Sequence, residues 1–328
     1  MKIIRLHSAL IRRSPLVSLA AVLLLSWASP TLADLPKLTV SVLQFGTAHW
    51  ELDHLERRGL DQEQGFDLEV RLVANLPASR LALSSGGVDG AVADLLWVQS
   101  RYAEGERYRY LPFSSQLGDI LVREDSPVTE LGELAGKRIG VAGGPDSKGW
   151  ILLQEVAARE DLDLSASAQV QYAAPPLLSQ ALKRGQLDVL ITYWHFAARL
   201  RAEGIGRTAF QMADLLDELG FDRDLPVLGY VFRDDWAEAN SDLLASFDRA
   251  LRAAKTELGA DESHWDAIRP LMRAPEPSVF GALREGFVAG TPQPLDTDRI
   301  ADLQRLLVLT GTPQDEVMPA SLFYRQRQ

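Results

Sequence analysis

Apolar residues along this chain switch repeatedly between a spacing of two and a helical spacing. Lys37–Leu43 carries Leu38, Val40 and Val42 on alternate positions, the pattern of a strand with one buried face. Residues 50–59 return to helical spacing and close on Gly59 behind Arg57 and Arg58, a favoured helix end. A second strand follows at 66–73, a short helix at 79–85 and a third strand at 88–93. This βαβαβ order predicts an open, mostly parallel sheet, whose ligands lie beyond the carboxyl ends of the strands.

The chain then repeats itself. Ala82-Leu83-Ser84-Ser85-Gly86-Gly87-Val88-Asp89 aligns with Ala181-Leu182-Lys183-Arg184-Gly185-Gln186-Leu187-Asp188. In both, a helix ends in leucine, a glycine caps it and an Asp leads into a buried strand. Those strands run into Asp94-Leu95-Leu96-Trp97 and Tyr193-Trp194-His195-Phe196. The spacing of the copies is about one lobe, so the pattern predicts two related α/β lobes rather than a short solenoid repeat. Strands at 118–124 and 227–233 are the predicted crossovers, with hinges near Leu121–Arg123 and Leu228–Val231. The second lobe holds strands at 138–141, 169–172 and Val189–Thr192. Helices at 241–258, His264–Met272, 278–288 and Thr297–Leu309 pack back on the first lobe, punctuated by Pro275, Pro277, Pro292 and Pro294. The expected division is 34–120 for the first part of lobe one, 121–228 for lobe two and 229–328 for the return.

Gly59-Leu60 followed by Gly65-Phe66-Asp67-Leu68-Glu69-Val70, the two repeated helix-strand corners, and 131–141 (LGELAGKRIGV) resemble one family. It is the nitrate/sulfonate/taurine-type solute-binding proteins of ABC importers, the NMT1/THI5-like group. The resemblance covers nearly all of the chain after residue 33. It implies a two-lobed type II periplasmic-binding fold, each lobe a mostly parallel sheet flanked by helices. It also implies delivery of a small anion to a permease and its ATPase. The family further includes thiamine-precursor proteins, some of them enzymes; their cysteine-rich active site has no counterpart in a chain without cysteine.

The first 33 residues add a compartment. Lys2, Arg5, Arg12 and Arg13 give a basic start, residues 16–27 are an apolar run too short to span as a mature helix, and Thr31-Leu32-Ala33 offers small residues to a signal peptidase. Cleavage after Ala33 is expected, leaving a periplasmic protein. Loss of the leader takes the net charge from −11 to −15, because it holds four cations and no acid. So acidic a protein is a poor ligand for nucleic acid or anionic lipid, and any anion it takes must be held by a local site. A monomer without cofactor is expected.

The loops beyond the strand ends supply candidates for that site: Phe45 and Thr47, Asn75, Asp94 and Trp97 from lobe one; Gly144, Ser147, Lys148, Tyr193 and Trp194 from lobe two. The stretch 143–150 is glycine-rich, follows a buried strand and opens a helix. Free N–H groups at such a start bind anions, and Ser147 and Lys148 add a hydroxyl and a charge. The plainer reading is an ordinary helix start with Asp146 or Ser147 as cap and Lys148 solvated. The spacing is not that of a P-loop. Trp50, Trp97, Trp150 and Trp194 fall at or beyond strand ends and supply flat apolar faces, with core packing as the alternative for each. The aromatics lean toward an organic anion, planar or not; the family resemblance implies a sulfonate- or taurine-like ligand, or, as for relatives that accompany quinoprotein alcohol dehydrogenases, a planar acid such as the quinone cofactor PQQ.

Catalytic and metal readings find less support. Of His49, His54, His195 and His264, none has metal-ligand spacing with acidic support. Ser147-Lys148 lacks a Ser-x-x-Lys spacing. The charge run at 104–109 reads as a solvated helix end. Three functions remain in contention: a binding subunit feeding an importer, a periplasmic sensing subunit for a membrane receptor, and, least supported, a pyrimidine-synthase-like enzyme.

Overall fold

The computed structural model describes residues 35–325. The expected leader, 1–33, lies outside them. Among the described residues no helix is long and apolar enough to cross a membrane.

In chain order the elements are β1 (Lys37–Leu43), α1 (Thr47–Arg58), α2 (Leu60–Glu63), β2 (Asp67–Val73), α3 (Leu76–Ser84), β3 (Gly90–Asp94), α4 (Leu95–Ala103), β4 (Tyr108–Ser114) and β5 (Asp119–Arg123). Then come β6 (Arg138–Ala142), α5 (Lys148–Arg159), α6 (Leu164–Ser167), β7 (Gln169–Ala173), α7 (Pro175–Lys183), β8 (Val189–Thr192), α8 (Trp194–Ala202), β9 (Gly206–Gln211) and α9 (Met212–Glu218). The chain finishes with β10 (Leu228–Arg233), α10 (Asp234–Ala239), α11 (Ser241–Ala260), α12 (His264–Met272), α13 (Pro277–Ala289) and α14 (Thr297–Leu309).

Among the described residues ten strands make two five-stranded sheets, ordered β2-β1-β3-β10-β4 and β7-β6-β8-β5-β9. The two orders are the same pattern. In each, three parallel strands are followed by one antiparallel strand, β10 in the first sheet and β5 in the second, and then by an edge strand. The expected two-lobed type II periplasmic-binding architecture is therefore present.

The repeat seen in the sequence has a physical cause. Asp89 Oδ2 accepts the backbone N–H of Thr39 at 2.8 Å, and Asp188 Oδ2 accepts that of Arg138 at 2.9 Å. Each carboxylate satisfies the strand beside it just ahead of its own strand. Gly86 and Gly185, at φ 73° and 68°, take the left-handed turn that lets each helix end before that Asp.

Two sequence expectations shift. The chain passes between sheets at 115–118, and β5 lies wholly in the second sheet, so the boundary at 120/121 falls inside a strand. The return to the first sheet is complete at Leu228. The run at 104–109 is not only a solvated helix end, because Tyr108 and Arg109 begin β4. Pro112 disguised that strand; β10 is the one strand β4 pairs with, its other edge meeting the chain in a single bridge from Tyr110 to Phe323, and such an edge strand tolerates a missing N–H.

One core lies on the face of the first sheet covered by α1 and α11–α13, centred on Trp50, Phe247, Trp265 and Phe287. Trp194 and Ala198 of α8 join it from the other half. Inside it, Glu51 is fully buried and receives the Tyr230 hydroxyl at 2.6 Å and the Lys255 ammonium. Burial raises the Glu51 pKa, and Lys255 and Tyr230 oppose that rise. A second core runs along the first sheet's other face and on through the second sheet to α5, α9 and α14.

Candidate functional site

The carboxyl ends of β1, β3, β6 and β8 point into one cleft between the sheets. Its inner part is a cavity of about 160 Å3 walled by Val42, Leu43, Val92, Phe113, Leu117 and Leu228. Its outer part, about 560 Å3, is lined by Arg80, Trp97, Gly143, Gly144 and Ser147. Leu76, Asp94, Lys148 and Tyr193 border both parts.

The first turn of α5 forms one wall. Gly143 adopts φ 98°, a conformation that L side chains rarely take, and this turns the chain from β6 toward the helix. Ser147 stands at the N-cap position, yet its side chain makes no capping bond. Hydroxyl and helix N-terminus are therefore both available to an anion in the cleft. Lys148 reaches both parts of the cleft and makes no ion pair among the described residues.

Asp94 faces this turn from the end of β3. Its Oδ1 caps α4 through the Trp97 N–H at 3.0 Å, and its Oδ2 takes Arg80 Nη2 at 2.8 Å. Burial pushes its pKa up, but the Lys148 and Arg80 charges and the capping bond pull harder, so it stays below the usual carboxylate value. Asp94 is thus an ionised, already bonded wall group. Arg80 also lies over the Trp97 ring, 5.2 Å from its centroid.

Tyr193 and His195 complete the floor. Burial and the Asp94 charge raise the Tyr193 pKa, so its hydroxyl stays a neutral hydrogen-bonding group. His195 is held down to about 3 by burial and by Arg199, so it meets the cavity as neutral imidazole. It sits between Trp194 and Phe196, with ring centroids 5.7 and 4.6 Å away.

Of the sequence candidates, Thr47, Asp94, Trp97, Gly144, Ser147, Lys148, Tyr193 and Trp194 come together around this cleft. Three do not. Trp50 is 2 % exposed and is held edge-on between Trp194 and Trp265, so it is core. Asn75 spends its Oδ1 on the Ala78 N–H at 2.9 Å, capping α3. Phe45 is half exposed beneath the Arg273 guanidinium, 3.8 Å from its ring centroid. Trp194 has a double place, since it borders the inner cavity while most of its ring is buried in the core. Sequence reasoning passed over Arg80 and His195. Arg80 carries a weak signal, one helical turn after Leu76 and so on the same face of α3.

An α/β fold of two matched sheets, with a polar turn and an apolar cavity between them, defines the two-lobed architecture of the periplasmic-binding type. The chain belongs to the NMT1/THI5-like family, whose model matches residues 56–261. No curated protein sequence matches it significantly. Similar solved structures include the alkanesulfonate-binding protein SsuA of Xanthomonas axonopodis pv. citri bound to MOPS. It has 20% identity and a TM-score of 0.67, over 89% of this chain and 99% of that one. The periplasmic aliphatic sulphonate binding protein SsuA of Escherichia coli has 18% identity and a TM-score of 0.67, over 84% and 91%. The periplasmic nitrate-binding protein NrtA of Synechocystis PCC 6803 has 14% identity and a TM-score of 0.59, over 84% and 80%.

Proposed function

We propose that this chain is the periplasmic solute-binding subunit of an ABC-type importer and that it carries a small organic monoanion with an apolar body. The observation that carries the reading is the first turn of α5. There an uncommitted Ser147 hydroxyl and a helix N-terminus line the outer part of the cleft, and Lys148, which makes no ion pair among the described residues, borders both that part and the inner cavity walled by apolar side chains. The acid group sits at that turn and the apolar body fills the inner cavity. Arg80 is already bonded to Asp94, which leaves Lys148 as the cation for the ligand and favours one negative charge over several. Nitrate would leave the apolar cavity unfilled. A planar polyacid such as PQQ would bring more anionic groups than this turn can neutralise. The sulfonate and nitrate specificities of the structural relatives support an anion carrier of this kind. Export through a leader cleaved after Ala33, docking on a permease and its ATPase, and a monomeric state complete the proposal.

Calorimetric titration with alkanesulfonates, taurine, nitrate and PQQ tests it. An alkanesulfonate binds best and is recovered chemically unchanged. Lys148→Ala removes a charge-assisted contact and weakens binding by about 10- to 150-fold, equivalent to about 1.5–3 kcal/mol. Unaltered affinity in Lys148→Ala, or a new product formed at catalytic yield, overturns the reading.

A further inference from the structure

Three side chains outside the cleft meet on the flank of the first lobe. His54 comes from α1, Glu257 from α11, and His264 opens α12. Their ligating atoms all lie within 4.8 Å of one another. His54 is buried, and its Nε2 lies 2.8 Å from Glu257 Oε2. The His54 and His264 rings meet edge to face, with centroids 5.0 Å apart.

We propose that His54, Glu257 and His264 form a binding site for a divalent transition metal of the zinc class. Two imidazoles and one carboxylate are a donor set suited to zinc, with a fourth position left for water. Donors at zinc bond lengths stand roughly 3.3 Å apart in a tetrahedron, so small rotamer changes bring these three into place. Calcium and magnesium, which take six or more oxygen ligands, do not suit it.

The framework is already rigid. Trp265, beside His264, donates its Nε1–H to the Leu258 carbonyl at 2.8 Å. That bond ties the start of α12 to the residue following Glu257, so the donors are positioned by packed helices rather than by a loop. His54 at present donates its Nε2 proton to Glu257. When a metal takes the Nε2 lone pair, that proton moves to Nδ1 and the ring remains neutral. Arg58 competes for the same carboxylate, its Nε and Nη2 lying 3.1 and 3.4 Å from the two Glu257 oxygens. Half exposed, it can turn out into solvent. The sequence hid this cluster because His54 and His264 lie far apart along the chain.

The test uses the whole protein, stripped with chelator, dialysed and titrated with zinc chloride alone by calorimetry. One ion binds per chain. His264→Ala weakens that event by at least ~10-fold. Arg58→Ala strengthens it, since the guanidinium no longer competes, although the same change removes an ion pair from the fold. A purely structural cluster gives the opposite pattern, in which Arg58→Ala loosens the protein and no metal affinity rises. Circular dichroism of both variants confirms that they fold. Zinc uptake that is the same in His264→Ala as in the parent, or that does not rise in Arg58→Ala, overturns the assignment.

Discussion

Replacing Trp194 by alanine separates two roles that the structure combines in one side chain. The indole is 6 % exposed and meets Trp50 edge-on, with centroids 6.1 Å apart. A Cβ built on Gly286 would come 2.6 Å from its ring, so α13 approaches α8 as closely as a glycine allows. Trp194 therefore acts as a plug from the second half set into the core of the first. Truncating a buried Trp costs about 3–5 kcal/mol, of which the edge-to-face pair accounts for about 0.5–1.5 kcal/mol. Urea unfolding followed by far-ultraviolet circular dichroism reads this as a midpoint lowered by about 1–1.7 M, with a slope near 3 kcal/mol/M. Trp97→Ala is the control, because Trp97 is partly open to the cleft and packs on Tyr108 at 5.2 Å. It weakens ligand binding while costing about 1 kcal/mol of stability. A loss below about 1 kcal/mol in Trp194→Ala would refute the plug and return the residue to a simple cleft wall.

Two further outcomes follow from buried charge. Lys255→Met strands the Glu51 carboxylate in the core and costs about 3–5 kcal/mol by thermal or urea unfolding, whereas Glu51→Leu with Lys255→Met recovers most of it. If the double variant is as unstable as the single one, the ion pair is not the reason. His195 gives a pH signature. Its ring stays neutral in the folded protein down to about 3, against an ordinary value of 6.5 in the unfolded chain. Between those values the unfolded chain binds the extra proton, so stability falls as pH drops through that window, by up to ~1.4 kcal/mol per unit. His195→Gln flattens this slope between pH 6 and 4; an unchanged slope assigns it to other groups.

Much of the fold was legible because its strands are buried on one or both faces and its helix ends are marked by glycine. β1, β8, α12 and α14 run over the very residues that periodicity assigned to them. β4 escaped because a proline and a charged start mask an alternation of Tyr108, Tyr110 and Phe113. β9 escaped because at an edge it buries little along its length. At the site, the turn before α5 was readable from glycine and the helix start. The tryptophans were harder. Position beyond a strand end says that a side chain is near the cleft, but not which way it points, and Trp50 turns inward while Trp97 turns outward. Pairings such as Arg80 with Asp94, or Glu51 with Lys255, leave no trace in local spacing, because each partner comes from a separate element.

The shared strand pattern also sets an order of assembly during synthesis. The first sheet needs β10 between β3 and β4, so β4 has no neighbour in its own sheet until residues 228–233 have been made. The second sheet has all its strands in the unbroken stretch from Asp119 to Gln211. The later-made half is therefore the one able to complete itself first, while the amino-terminal half waits with an open slot. Such long-range closure is slow, and an unfilled slot between two strands invites pairing with another chain. A chaperone that holds the nascent protein has most to protect in that interval, at the gap between β3 and β4.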